Sequence, residues 1–229
     1  MNIILLAPPA AGKGTQSEIL INKYNLNQIS TGDLFRNIAS QDTALGNKIK
    51  ETLASGNLVE DELVFQVLED YLDNHNNTNG YIFDGFPRTL AQAEKLDIIL
   101  EKRQQKIDFV FYLDVEKNIL LKRITGRRLC KSCGAIYNVN IDSLKPKKDS
   151  ICDKCDGNLY RRDDDNQESF EVRYQTYIEK TKPLIDYYRN KKVLFDIDGS
   201  VDKEYTLKQI ESVIEKRWSF WLLLKVIEK

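Results

Sequence analysis

Ala7 Pro8 Pro9 Ala10 Ala11 Gly12 Lys13 Gly14 Thr15 lies between an apolar run and a helical pattern. A loop in that setting can hold phosphate. Backbone N–H groups at the helix N-terminus face the oxygens, a lysine reaches the β- and γ-phosphates, and a hydroxyl stands near Mg2+. Gly12, Lys13, Gly14 and Thr15 supply the second half of the pattern, while Ala7 and Ala10 replace the small turn residues usual in its first half. An ordinary strand-to-helix turn is the plain alternative.

Two further segments offer charge beside apolar runs. Asp84 Gly85 Phe86 Pro87 Arg88 Thr89 sets an acid at the end of a run, where it can hold Mg2+ through water, or merely cap a helix. Thr31 Gly32 Asp33 precedes Arg36 by one helical turn, so that arginine either faces the same crevice or lies on the surface. A third chemistry is carried by Cys130 Lys131 Ser132 Cys133 and Cys152 Asp153 Lys154 Cys155, two CxxC knuckles separated by eighteen residues. That spacing suits a structural Zn2+ held by four thiolates, with no open position for a substrate. Lys131 and Lys154 would moderate its negative charge. Paired disulfides and bound iron are the alternatives.

These residues need a frame to position them. Runs rich in Ile, Val, Phe and Tyr read as buried strands over Asn2–Leu6, Asn27–Ser30, Tyr81–Phe83, Ile107–Leu113 and Val193–Ile197. Helical patterns cover Gly14–Tyr24, Asp61–Asp73, Thr89–Arg103, Glu116–Thr125, Gln167–Asn190 with a break near Pro183, and Lys203–Arg217. The alternation predicts a five-stranded parallel sheet with helices on both faces, whose ligands sit beyond the carboxyl ends of the strands. Residues 31–59 and 127–165 fall outside it and read as inserts on a core made of 1–30, 60–126 and 166–229.

Composition narrows the classes. The 229 residues carry 34 Lys and Arg against 35 Asp and Glu, a net charge of −1, which argues against a basic nucleic-acid-binding surface. No apolar run approaches the ~18 residues of a membrane span. With no export signal recognised, a cytoplasmic protein is expected. The single histidine, His75, sits in a polar stretch and reads as solvated. The apolar tail Arg217–Lys229 is expected to bury side chains within the chain or in a homo-oligomer and to take no part in chemistry.

The combination resembles the adenylate kinases over residues 1 to 205. It rests on the GKGT loop, Thr31 Gly32 Asp33 with Arg36, Gly56 Asn57 Leu58 Val59, Asp84–Thr89 with Gln92, Arg123–Arg128, and Arg162 Asp163 Asp164 Asp165 Asn166. Asn138 stands where many lidded members have His. The resemblance implies a P-loop NTPase-like core, a helical AMP-binding insert over 31–59, and a zinc-ribbon-like lid over 127–165. It also implies the reaction MgATP + AMP ⇌ 2 ADP, with structural Zn in the lid, Mg accompanying ATP, and a monomer binding neither nucleic acid nor membrane.

By the same resemblance, Lys13, Gly12, Gly14 and Thr15 meet the ATP phosphates, Asp84 the Mg, and Arg123 and Tyr137 the ATP side of the lid. Arg127, Arg162 and Arg173 meet the migrating phosphoryl group, and Arg36 and Arg88 the AMP phosphate. Thr31, Gly56, Leu58, Val59, Gly85 and Gln92 border the AMP base and ribose. Kinases of UMP, CMP or GMP, and a zinc-ribbon binding module, are the rival readings.

Overall fold

A computed structural model describes residues 1–75, 77 and 79–227, with side chains described as far as Arg217. Its centre is β1 (Ile3–Leu6), four consecutive buried aliphatic residues. An unbroken apolar run suits a strand covered on both faces, as parallel strands are. β3 (Tyr81–Asp84) and β4 (Phe109–Asp114) flank it in parallel, Ile3 standing opposite both Ile82 and Phe109. β2 (Asn27–Ser30) and β8 (Leu194–Asp198) complete the order β2-β3-β1-β4-β8. The connection from β1 runs to β2 on one side and that from β3 crosses to β4 on the other, so the loops after β1 and β3 lie at a switch point, where open α/β sheets bind ligands.

Alternate side chains point to opposite faces of a strand, and two cores result. Ile4, Leu6, Ile29, Phe83 and Val110 pack with Phe35 of α2 (Thr31–Ala39), Ile49 of α3 (Ala44–Ala54), Leu68 of α4 (Asp61–Asn74), Leu96 of α5 (Leu90–Glu101) and Tyr188 of α8 (Leu184–Asn190). Ile3, Leu5, Ile82 and Phe111 pack with Leu20 of α1 (Lys13–Tyr24), Leu120 of α6 (Lys117–Gly126), Phe170 of α7 (Gln167–Thr176) and Ile210 of α9 (Lys203–Ile227).

The helical stretch Gln167–Asn190 breaks ahead of Pro183, as expected, but three features go beyond the sequence expectation. A wider π-type turn covers Tyr177–Thr181, where Lys182 N donates to Tyr177 O at 2.8 Å. Proline has no N–H to continue the ladder, so the chain widens before it. Residues 127–165 also contain a small antiparallel sheet, β6-β5-β7, built from Arg127–Cys130 (β5), Ile136–Asn138 (β6) and Leu159–Tyr160 (β7). Strands of two to four residues carry too few alternating positions to be read from sequence.

The last helix, finally, continues past Arg217 to Ile227. Arg217 donates to Asp108 O at 3.0 Å and stands 5.3 Å from the centre of the Phe109 ring. The side chains of Trp218 to Lys229, on which the tail expectation turned, lie outside the described residues.

Candidate active site

The loop after β1 turns into α1 through Gly12, whose φ of 95° is left-handed and suits glycine. Ala10 also adopts φ 65°, a conformation that costs an L-residue with a Cβ roughly 1–2 kcal/mol. Lys13 opens α1, and its ammonium bends back to donate to Ala7 O at 3.1 Å and Pro8 O at 3.3 Å. Burial pulls its pKa down to about 8, with Asp84 pulling the other way. Burial likewise pushes Asp84 up, opposed chiefly by Lys13. Both shifts have one cause, since each charge has left water for the same recess. Asp84 ends β3, and its Oδ2 lies 4.0 Å from where a Cβ on Gly14 would stand. The carboxylate and the loop therefore share one corner.

β3 then turns through Gly85, whose φ is 77°. An added Cβ there would approach Arg88 Nη2 to 3.1 Å, so glycine makes room for the guanidinium. Gly85 O accepts from Arg88 Nε at 2.7 Å and from Thr31 Oγ1 at 3.0 Å, tying the end of β2 to the end of β3. Thr89 caps α5 by accepting from Gln92 N at 3.1 Å. Gln92 is 2% exposed, and its amide accepts from Arg88 N at 2.7 Å and donates to Asp61 Oδ1 at 2.6 Å.

A cleft holding about 520 Å3 of empty space, partly open to solvent, brings Lys13, Gly56, Leu58, Gly85, Arg88 and Arg173 together. Tyr177 and Thr181 of the widened turn also line it. Gly56, at φ 78°, lies against α7, where an added Cβ would be 3.0 Å from Arg173 Cγ. Thr31 and Gln92 reach that lining through their hydrogen bonds to Gly85 and Arg88, and Val59 packs against the apolar core.

Arg36, Arg127, Arg162 and Arg173 are held by acids. Arg36 pairs with Asp33 at 2.5 Å, and Arg162 reaches the same carboxylate at 3.7 Å. Arg173 donates to Asp164 at 2.8 Å. Arg127 grips Asp165, which is 0% exposed, through both Nε and Nη2. Burial lowers Arg173 to about 10, which leaves it cationic at neutral pH. Arg123 donates to Gly199 O at 2.9 Å and Ser200 O at 3.2 Å, in the loop after β8. Asn138 Nδ2 donates to Arg123 O at 2.8 Å and so joins β6 to the end of α6. Asp33, Asp164 and Asp165 carried no expected role, although the acid run after Arg162 was a visible signal.

The four cysteine sulfurs lie within 4.8 Å of one another. Cys130 and Cys155 are 3.4 Å apart, and Cys133 and Cys152 3.6 Å. These are free thiols, far beyond the ~2.05 Å of a disulfide bond. A ZnS4 tetrahedron with bonds of about 2.3 Å has S···S edges of about 3.8 Å, so the cluster fits such an ion. Ser132 N and Lys154 N, each at 3.4 Å, donate to Cys130 and Cys152, as a knuckle that stabilises thiolates requires. Tyr137 sits here, its hydroxyl 3.4 Å from Cys152 Sγ and accepting from Asp153 N at 2.7 Å. That contact pulls Cys152 down to about 6. The structure thus groups Tyr137 with the cysteines.

Among the described residues, no helix is long and apolar enough to cross a membrane. The family model described as adenylate kinase matches residues 5–193. The chain is 48% identical to the adenylate kinase of Archaeoglobus fulgidus over 216 residues, 94% of this chain and 99% of that one. It is 46% identical to the adenylate kinase of Clostridioides difficile over 207 residues, 90% of this chain and 95% of that one. A third adenylate kinase, from Thermosipho africanus, is 42% identical over 216 residues, 94% of this chain and all of its own length.

Proposed function

The chain belongs to the adenylate kinase family and interconverts ATP plus AMP with two ADP, and from that premise we propose how its residues divide the work. The observation that carries the reading is the cleft after β1 and β3, where Lys13, Arg88 and Arg173 converge beside Asp84. Lys13 and the amides of Gly12, Gly14 and Thr15 hold the ATP phosphates. Asp84 receives Mg2+ through water. Arg36 and Arg88 clamp the AMP phosphate, with planar forks that fit two oxygens at once. Arg127, Arg162 and Arg173 meet the migrating group. Phosphoryl transfer spreads negative charge over that group, so fixed cations and positioning supply the catalysis and no side-chain base is required.

The pairing of these arginines with Asp33, Asp164 and Asp165 supports the same reading. Each carboxylate holds a guanidinium in place and yields it to a phosphate, which exchanges one anion for another without leaving a buried cation bare. Thr31, Gly56, Leu58, Val59, Gly85 and Gln92 border the acceptor base and ribose, and Arg123 the donor adenine. Tyr137 serves the ATP side by supporting the lid.

Residues 31–59 form the AMP-binding insert and 127–165 a lid that shields the transferred group from water. Cys130, Cys133, Cys152 and Cys155 hold Zn2+, whose role is to fold the lid. The protein acts as a cytoplasmic monomer without nucleic-acid or membrane partners. A coupled ADP-release assay with AMP, UMP, CMP and GMP as acceptors tests the substrate. AMP is expected to dominate, and equal turnover of a pyrimidine nucleotide would overturn that choice. Metal analysis of the purified chain, expected to find about one zinc, tests the lid.

A further inference from the structure

We propose that Asp61 is a positioning residue for acceptor choice, its carboxylate locking the Gln92 side-chain amide in the one orientation that suits adenine and not guanine. The inference rests on the reading of Gln92 as a neighbour of the acceptor base. A glutamine amide carries a two-lone-pair oxygen on one side and two hydrogens on the other, and its terminal torsion is broad and two-fold. Left free, it can present either pattern by a half turn. Adenine shows an acceptor at N1 beside an N6–H donor, whereas guanine shows an N1–H donor beside the O6 acceptor, the mirrored arrangement. A freely turning glutamine therefore serves both bases and discriminates between neither.

Gln92 is not free. Asp61 Oδ1 lies 2.6 Å from Nε2, and an ionised carboxylate only accepts. Arg88 N lies 2.7 Å from Oε1, and a backbone N–H only donates. Turning the amide over would set oxygen against carboxylate and NH2 against N–H, at a residue only 2% exposed. One hydrogen on Nε2 and one lone pair on Oε1 remain, each on a fixed side. Asp61 can hold this position because it opens α4, whose first turn accommodates negative charge. The lock also joins two parts of the acceptor site, since Arg88 supplies its backbone to Gln92 and its guanidinium to the cleft.

The test is Asp61→Asn, near-isosteric and able to donate or accept, assayed with AMP and GMP as acceptors at saturating MgATP. The expected result is a fall on the order of tenfold or more in the ratio of kcat/KM for AMP to that for GMP, arising from a gain with GMP. The KM for MgATP is expected to stay unchanged. Asp61→Ser, too short to reach Gln92, is expected to give the same loss of discrimination. Glu62→Gln, in the same helical turn, controls for charge at the α4 N-terminus and is expected to leave the ratio alone. An unchanged ratio in both Asp61 variants overturns the proposal, as does an equal loss with both acceptors accompanied by a lower Tm. Gln92→Leu separates the two levels. If it leaves the KM for AMP unaltered, the placement of Gln92 itself fails; if it raises that KM while the Asp61 variants keep full discrimination, only the lock fails.

Discussion

The cleft and the proposed lid hold their chemical groups in opposite ways. In the cleft, cations come from distant parts of the chain and already have partners. Lys13 rests on Ala7 and Pro8 carbonyls, Arg88 on Gly85 O, Arg127 on Asp165 and Arg173 on Asp164. Two extensive apolar cores fix the elements that carry them. In the lid, four like groups converge from two short knuckles over a core of only Cys130, Tyr137, Cys152 and Leu159, with Ala135 against it. The cleft is thus stable before any ligand arrives and trades one set of partners for another. The small core around the cysteines buries little apolar surface, and on the proposed reading a zinc ion held by the thiolates supplies the rest of its stability.

The sharpest way to break this contrast is Cys152→Ser or treatment with a chelator, either of which removes the proposed zinc. Structural zinc contributes about 10–16 kcal/mol in small domains, so residues 127–165 are expected to lose amide hydrogen-exchange protection while β1, β3 and β4 keep theirs. Equal loss in both regions would show that the core also leans on the metal.

Lys13→Met should act on the other side of the contrast, leaving the fold intact and lowering kcat by about 10²–10³-fold, about 3–4 kcal/mol. A near-wild-type kcat would remove Lys13 from the reaction. The wild type carries a pH signature as well. Burial depresses the Lys13 pKa to about 8, so the free enzyme loses this ammonium as pH rises through that value. ATP binding should weaken there and take up a proton, as titration calorimetry in buffers of different ionisation enthalpy would detect. The Lys13→Met protein should lack that uptake.

Asp165→Ala removes a fully buried carboxylate from Arg127, which is itself 17% exposed. A loss of about 2–3 kcal/mol is expected, at the low end because the freed guanidinium can reach water. Urea denaturation of the single variants and of Asp165→Ala with Arg127→Ala would measure it. The double variant should lose less than the sum, and strict additivity would show that the pair is not coupled.

The smallest effect belongs to Ala10. Its φ of 65° favours glycine, so Ala10→Gly should stabilise by on the order of 0.5–1 kcal/mol, the relief of left-handed strain less the added chain entropy. A lower urea midpoint would contradict that backbone geometry.

Much of the frame is legible in the sequence because its causes are local. Ile3–Leu6 announces a strand buried on both faces, and the two CxxC pairs announce a tetrahedral thiolate site, since each knuckle is set by four residues. The loop, the acid ending β3 and the helix starts at Ser30, Thr89 and Asn166 depend on turn and cap chemistry within a few residues. Tertiary structure decided which distant groups meet. Asp163, Asp164 and Asp165 stand in a row, yet only Asp165 is fully buried against Arg127. Gln92 is expected beside the acceptor base, but that Asp61 of α4 meets its amide is decided by tertiary structure alone. The pairing of β5 with β6 and β7 likewise follows from packing. Their stability comes from partners far along the chain, which no window of sequence contains.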